Sequence, residues 1–153
     1  MPPLVQDATG NDLTYRIIGA AMEVHNRLGS GYKEEVYEKA LANALNNRGL
    51  SLLSQYQVEV WDANALAGLF YLDIFVEGQV VVEVKAFSHQ LTNDERAQVI
   101  NYLEATGAPV GLLFNFGRRR LEYQRIFPGK FASGTVKRVG RDDVRKSGRG
   151  QAG

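Results

Sequence analysis

The sequence predicts an α/β sandwich, in which a mixed central β-sheet is flanked by helices. Three observations predict it. Two apolar stretches of helical period open the chain, an alternating β-hairpin follows, and a helix with a capping pattern then separates two further strands. Strands joined by a crossover helix run parallel whereas a hairpin pairs antiparallel, so the sheet must be mixed.

The first two elements are predicted helices. Residues 13–28 place apolar side chains at helical spacing, and Gly29-Ser30-Gly31 ends this helix. Residues 33–48 carry a second apolar stripe, and Gly49 follows where a glycine of positive φ is favoured.

The later elements follow from alternation and capping. The capping-box pattern from Thr92 to Glu95 begins a helix that ends near Gly107. The predicted strands are residues 55–61, the two arms of a hairpin within 69–85, residues 110–116 and residues 121–127.

The hairpin contains three charged residues in apolar β-type sequence: Asp73, Glu83 and Lys85. Such charges are rarely buried unless they are paired or bind a metal, so their convergence suggests a divalent-cation site beside a proton-handling amine. The alternative is a polar strand end and a solvated edge pair. Valines alternate with Glu83 and Lys85 on both faces, which favours an internal strand.

The loop length decides whether Asp73 shares a face with Glu83. A two-residue loop would separate them, whereas a three-residue loop of residues 76–78 pairs Asp73 with Val81 and makes Glu83 its diagonal neighbour. A metal site therefore predicts the three-residue loop, a type I turn followed by Gly78 with positive φ.

The motif of Asp73 followed by Glu83-Val84-Lys85 resembles the signature of the PD-(D/E)XK nuclease superfamily. Residues 31–37, with Gly31, Glu34 and Tyr37, look like the motif that names its GxxExxY family. The resemblance covers about residues 13–127 and includes Val24-His25, Gln98, Tyr102 and Gly111 to Gly117. Leu72 stands where the superfamily name has proline.

The resemblance implies a restriction-endonuclease-like fold, and it assigns a role to each residue of the candidate site. Asp73, Glu83 and the carbonyl of Val84 would hold Mg²⁺ or Mn²⁺, and Lys85 would orient or deprotonate the attacking water. Glu34 would be a further metal-site carboxylate, although a carboxylate in a first helical turn is favourable without any metal.

Three further residues have roles implied by similarity to RecB-like nucleases. His25 would ligate the metal, with a satisfied core or helix-end histidine as the alternative. Gln98 and Tyr102, four residues apart on one helix face, would orient the lysine or contact the nucleic-acid backbone. Their alternative is an ordinary amphipathic helix that buries a tyrosine.

Composition limits the remaining possibilities. The chain has 153 residues and 44% hydrophobic content, which predicts one domain. With the resemblance, this gives a nuclease-like domain at 13–130, an N-terminal extension at 1–12 and a basic, flexible tail at 131–153. It has no cysteine, no recognisable leader and no membrane-length apolar run, so we expect a soluble cytoplasmic protein.

The net charge of +1 results from an acidic N-terminal part and a basic C-terminal part of the chain. Residues 1–116 contain seven Lys/Arg and fourteen Asp/Glu, a net of −7, whereas residues 117–153 contain eleven and three, a net of +8. The basic end predicts phosphate contacts to nucleic acid, or else a solubilising tail. The candidate contacts nearest the domain are Arg118, Arg119, Arg120 and Arg125.

The predicted function is metal-dependent hydrolysis of phosphodiester bonds in nucleic acid, most naturally DNA. The alternative is a non-catalytic nucleic-acid-binding or protein-interaction module on the same fold. A small regulatory protein recognised by its basic tail is a third possibility that depends on charge alone.

Overall fold

The computed structural model describes residues 5–6, 12–129 and, by backbone alone, 137–140. Within these residues, the elements in chain order are α1 (Leu13–Leu28), α2 (Glu34–Asn47), β1 (Leu52–Asp62), β2 (Ala65–Val76), β3 (Val80–Lys85), α3 (Asn93–Thr106), β4 (Val110–Asn115), β5 (Glu122–Ile126) and β6 (Lys137–Gly140).

The described strands form a single mixed sheet in the order β5-β4-β3-β2-β1-β6. β3 and β4 are parallel, and every other neighbouring pair is antiparallel. The parallel pair is the one that α3 connects, as the crossover pattern predicts. The strand that carries Glu83 and Lys85 is therefore internal, with β2 on one side and β4 on the other.

Helices cover both faces of the sheet, which confirms the predicted α/β sandwich. The core beneath α1 and α2 contains Ile74, Val82 and Val84 from the sheet. The core beneath α3 contains Leu72, Val81 and Leu113. Since Val82 and Val84 face α1 and α2, the alternating residues Glu83 and Lys85 belong to the side of α3.

The helix ends follow the predicted chemistry. The side chain of Thr92 accepts a hydrogen bond from the N–H of Asp94, and the Glu95 carboxylate accepts one from the N–H of Thr92, which completes the capping box. Gly107 ends α3 in the left-handed conformation. Gly49 follows α2 with a φ of 79°, as the helix stripe predicts.

The turn between β2 and β3 differs from the predicted one by one residue. Val76 pairs with Val80, so the three-residue loop is 77–79 rather than 76–78. Gly78 has positive φ as predicted, but so does Glu77, at 54°, which is the sign pattern of a type I′ turn rather than type I. The Glu77 carboxylate accepts hydrogen bonds from the N–H and hydroxyl of Ser51, which holds this residue in its unusual conformation.

This shift changes the register at the candidate site. Ile74 pairs with Val82, so Asp73 lies directly opposite Glu83 rather than opposite Val81. The loop remains odd in length, and the two carboxylates therefore share a face, as the metal-site hypothesis requires.

β1 and β2 are longer than predicted. They form a continuous hairpin whose turn lies at 63–64, with Ala63 at a φ of 55°. The strand that became β2 was predicted to begin at Leu69, because residues 65–68 are mostly alanine and glycine, which have low β-propensity.

The two ends of the chain are described only in part. Val5 is buried, and its carbonyl accepts a hydrogen bond from the N–H of Leu13 at 2.7 Å. At the other end, residues 137–140 pair with β1, so this piece of the predicted tail adds a strand to the sheet. The rest of segments 1–12 and 131–153 lies outside the described residues. No helix in the described part of the chain is both long and apolar enough to cross a membrane.

Candidate metal and catalytic site

The carboxylates of Asp73 and Glu83 each accept a backbone hydrogen bond from the opposite strand at the point where β2 and β3 stop pairing. The N–H of Asp73 donates to the Glu83 carboxylate at 3.1 Å. The N–H of Val84 donates to the Asp73 carboxylate at 2.8 Å. Each carboxylate therefore takes the place of a backbone carbonyl in the ladder, and both side chains are fixed in the gap between the strands.

The regular alternation of β2 is interrupted at Asp73. In a regular strand Leu72 and Ile74 would share a face, yet Leu72 lies in the core under α3 and Ile74 in the core under α1 and α2. On β1 the residue opposite is Gln55, whose φ of 51° interrupts the regular pairing between Ser54 and Tyr56. This local irregularity allows the Asp73 side chain to point along the opened edge of β3.

Burial makes the carboxylate pair electrostatically unstable. Glu83 is 3% exposed, and burial, with the adjacent Asp73 carboxylate, raises its pKa to about 8. Burial also raises the pKa of Asp73 to about 6, although the Val84 N–H and the charge of Lys85 act in the opposite direction. Two buried carboxylates this close destabilise each other when both are charged, so the site favours binding of a proton or a cation between them.

Lys85 lies close enough for its charge to lower the pKa of both carboxylates. It is the last residue of β3, and its carbonyl accepts a hydrogen bond from the N–H of Phe116 at 2.8 Å. The parallel neighbour of Lys85 is Asn115. The structure thus brings Asp73, Glu83 and Lys85 together, as the hairpin pattern predicts.

Two carboxylates from α2 act on this pair. Glu34 is exposed, and its charge raises the pKa of Asp73. Glu38, which the sequence reasoning missed, raises the pKa of both Asp73 and Glu83 and acts on Asp73 more strongly than Glu34 does. Its carboxylate accepts a 2.6 Å hydrogen bond from the side chain of Gln55. The signal that could have found it is its position one helical turn after Glu34, on the same face.

Gln98 and Tyr102 lie on α3, which covers the other face of the sheet from α2. The Gln98 side chain hydrogen-bonds the Tyr102 hydroxyl, and Tyr102 is nearly buried. Burial raises the pKa of Tyr102 to about 12, and the charges of Glu83 and Asp73 add to the effect. The hydroxyl of Tyr102 is therefore neutral. Its role in orienting Lys85 or contacting a phosphate stays a prediction.

His25 is buried, and its Nε2 lies 3.0 Å from the carbonyl oxygen of Arg118. Its ring also lies 6.0 Å from that of Phe116. These contacts correspond to the satisfied histidine at a helix end, which was the alternative to a metal ligand. They occupy one ring nitrogen, so ligation by His25 stays a prediction that would need the other.

The arginine loop joins β4 to β5, as predicted from the alternation of residues 121–127. Arg119 and Arg120 are exposed, and Arg118 pairs with Glu122 at 3.7 Å. Arg125 instead donates a hydrogen bond to the hydroxyl of Thr14 on α1 at 3.0 Å. Arg119 and Arg120 are therefore the members of the predicted set best placed for phosphate contacts.

The donor set fits a hard divalent cation in part. Asp73 and Glu83 supply carboxylate oxygens, which Mg²⁺ and Mn²⁺ prefer. Burial is the largest cause of their raised pKa values, and the charges of neighbouring carboxylates add to it. Among the residues that the structure describes, however, no three His, Asp or Glu side chains form a ready metal-binding cluster. The pair would therefore need backbone carbonyls, water or a movement of an α2 carboxylate to complete a shell.

Residues 11–126 match the family model of the PD-(D/E)XK nuclease superfamily, and the chain belongs to this superfamily. The restriction-endonuclease-like fold that the sequence resemblance implied is thereby confirmed. No curated protein sequence matches the chain. Among solved structures, the crystal structure of SSO0001 is similar, with a TM-score of 0.44 and 12% identity over 78% of this chain and 79% of that one.

Proposed function

We propose that this protein is a metal-dependent nuclease that hydrolyses phosphodiester bonds in nucleic acid, with DNA as the expected substrate. Within the superfamily we assign it to the GxxExxY family, on the pattern of Gly31, Glu34 and Tyr37. The observation that carries the activity is that backbone N–H groups of Asp73 and Val84 hold the carboxylates of Glu83 and Asp73 between two strands inside the sheet, with Lys85 two residues after Glu83 on the same strand.

Asp73 and Glu83, with the Val84 carbonyl, would hold Mg²⁺ or Mn²⁺, and Glu34 or Glu38 could join them. The bound ion would supply Lewis-acid stabilisation of charge on a phosphate oxygen and would lower the pKa of bound water. The rest of the chemistry belongs to the chain. The backbone bonds to each carboxylate hold the pair in place before substrate arrives, so little reorganisation is required.

Lys85 is the group assigned to the attacking water. As the last residue of a buried strand, it has its main chain fixed by Phe116, and its Nζ would hold the water or accept its proton. Tyr102, kept neutral by burial and by the neighbouring carboxylates, can donate a hydrogen bond toward a phosphate or toward Lys85. Gln98 orients that hydroxyl.

Arg119 and Arg120 would contact phosphates flanking the cleaved bond. They lie on the loop that follows Phe116 and Gly117, and Gly117 packs so closely on residues 86–87 that a Cβ there would collide with the backbone carbonyl of Phe87. The arginine loop is thus adjacent to the segment that follows Lys85.

The test is cleavage of single-stranded and double-stranded DNA and RNA oligonucleotides with Mg²⁺, with Mn²⁺ and with a chelator. We expect metal-dependent cleavage by the wild type and none by Asp73→Asn, whereas Asp62→Asn, an exposed aspartate at the tip of the β1–β2 hairpin, keeps full activity. Binding of nucleic acid without cleavage, unaffected by Asp73→Asn, would favour the non-catalytic module.

A further inference from the structure

A cleft lined by the α2 carboxylates Glu34 and Glu38 is bordered by aromatic rings that the catalytic proposal does not use. The cleft has a volume of about 700 Å³, and its lining includes Tyr32, Glu34, Glu35, Glu38 and Phe87. Tyr32, on the α1–α2 loop, is 52% exposed. Phe87 follows Lys85 by two residues, and its ring stacks on that of the exposed His89 with centroids 4.6 Å apart at 15°.

The Phe87–His89 pair is fixed in place by Asn115, a fully buried residue of the strand next to Lys85. The Asn115 side-chain oxygen accepts a hydrogen bond from the N–H of Phe87 at 2.8 Å, and its nitrogen donates to the His89 carbonyl at 2.9 Å. The same amide also bonds the N–H of Gly117 and the carboxylate of Glu122, so its hydrogen-bonding capacity is filled.

Tyr32 is held as well. Its N–H donates to the hydroxyl of Tyr37 at 3.2 Å, and the two rings meet edge to face with centroids 6.1 Å apart. Tyr37 itself is buried and stacks on Phe116. Both borders of the cleft therefore present aromatic rings on backbone that is tied to the core, which lowers the entropy lost when a ligand stacks on them.

Anchored aromatic rings of which Tyr32 and His89 are exposed and Phe87 is half-buried, near the proposed phosphate-cleaving site, are suited to the flat face of a nucleobase. Stacking is sequence-tolerant, but it requires that the base be unpaired, because a duplex presents only base edges and phosphates to a protein. The acidic lining would repel phosphates unless a divalent cation were present, so base stacking and cation binding are complementary.

Building on the proposed function, we infer that the substrate presents unpaired nucleotides at this cleft, as in a single strand, an overhang or a flap, with one base stacked on the Phe87–His89 pair and another on Tyr32. Each lost stacking ring is expected to weaken binding of single strands by about 5- to 150-fold, the range for base–aromatic stacking.

The test compares the affinity of the full chain for a fluorescent 20-mer single strand and for the matching blunt duplex, in Ca²⁺. The variants are Phe87→Leu, which keeps apolar volume against the core under α3, and Tyr32→Leu; the control is Tyr15→Leu, a 72% exposed tyrosine on α1 outside the cleft. We expect tighter binding of the single strand, at least fivefold loss for each cleft variant and no change for the control. Circular dichroism melting checks that each variant is folded.

Equal or tighter binding of the duplex, or cleft variants that behave like the control, would overturn the inference. If the inference failed in this way, cleavage of the duplex with Mg²⁺ or Mn²⁺ would still leave the proposed nuclease function intact. Conversely, ring-dependent binding of single strands by a wild type that cleaves nothing would support the inference as a binding site and overturn the catalytic proposal.

Discussion

Asp73 donates its backbone N–H to the carboxylate of Glu83, the residue directly opposite it on the neighbouring strand. The bond occurs one residue beyond the last regular pair of β2 and β3. The side chain of Glu83 therefore accepts the hydrogen bond that a backbone carbonyl would accept in a regular ladder. A carboxylate used in this way is fixed and buried, and it lies against a second carboxylate. That arrangement raises the pKa of both carboxyl groups.

Asp73→Asn should abolish site-specific binding of Mn²⁺ or Mg²⁺. The amide keeps an oxygen that can accept from the Val84 N–H, but it removes one of the two negative charges that attract the cation. Isothermal titration calorimetry measures the effect, with Asp62→Asn as the control. Unchanged affinity in Asp73→Asn would show that any cation binds elsewhere.

Lys85→Ala should leave metal affinity largely intact and lower the cleavage rate by about 10²-fold or more, the usual size of a lost acid or base. Single-turnover cleavage under saturating metal measures the rate, and calorimetry on the same sample measures affinity. Wild-type rates on every substrate cleaved would show that Lys85 does not handle the water.

Glu83→Gln should stabilise the metal-free protein at alkaline pH. The pKa of Glu83 is raised from 4.5 to about 8, so the folded state binds more protons than the unfolded state between these values. The stability that the protonated Glu83 contributes to the folded state is fully present below pH 4.5 and is lost as the pH rises toward 8. A glutamine can accept the same hydrogen bond from Asp73 without carrying this charge.

The melting temperature of the metal-free wild type, measured from pH 5 to 8.5, should therefore fall more steeply with pH than that of Glu83→Gln. For a domain of this size each kcal/mol corresponds to about 2–4 °C. Added Mg²⁺ should raise the melting temperature of the wild type at pH 8 and leave that of the variant unchanged. Parallel pH curves for the two proteins would contradict the raised pKa.

Glu38→Gln should shift the pH midpoint of Mn²⁺ binding downward. The charge of Glu38 raises the pKa of Asp73 and Glu83, so its removal lets both carboxylates ionise at lower pH, and protons then compete less with the metal. Titrations at several pH values measure the midpoint, and Glu35→Gln on the same helix is the control. A midpoint that stays or rises would mean that Glu38 does not act on the pair.

Replacing Arg118, Arg119 and Arg120 with Ala should weaken nucleic-acid binding and flatten its salt dependence, by roughly one unit of slope for each lost phosphate contact. Arg118 also pairs with Glu122, so its share is expected to be smaller. The control is Arg27→Ala with Lys39→Ala, two exposed cations on α1 and α2. Equal salt slopes in the three proteins would exclude phosphate contacts by the loop.

Much of this fold could be predicted because its signals are local. The helical stripe of α1, the capping box at Thr92 and the glycine after α2 each depend on residues within one or two turns, and the structure places them as predicted. The convergence of Asp73, Glu83 and Lys85 followed from strand parity, which any odd loop preserves. The turn itself was misplaced by one residue because the Ser51 contacts that hold Glu77 come from a distant segment.

The sequence by itself determined the superfamily motif, the layered α/β architecture and the charged residues of the central hairpin, since each is a matter of spacing along one chain. Tertiary structure alone decided which groups surround that hairpin. Glu38 acts on the pair through its charge and accepts a hydrogen bond from Gln55, and Asn115 positions Phe87 and His89 from a parallel strand. These contacts join residues 17 to 28 positions apart, where no local period or cap can predict a pairing because only the packed sheet brings them together.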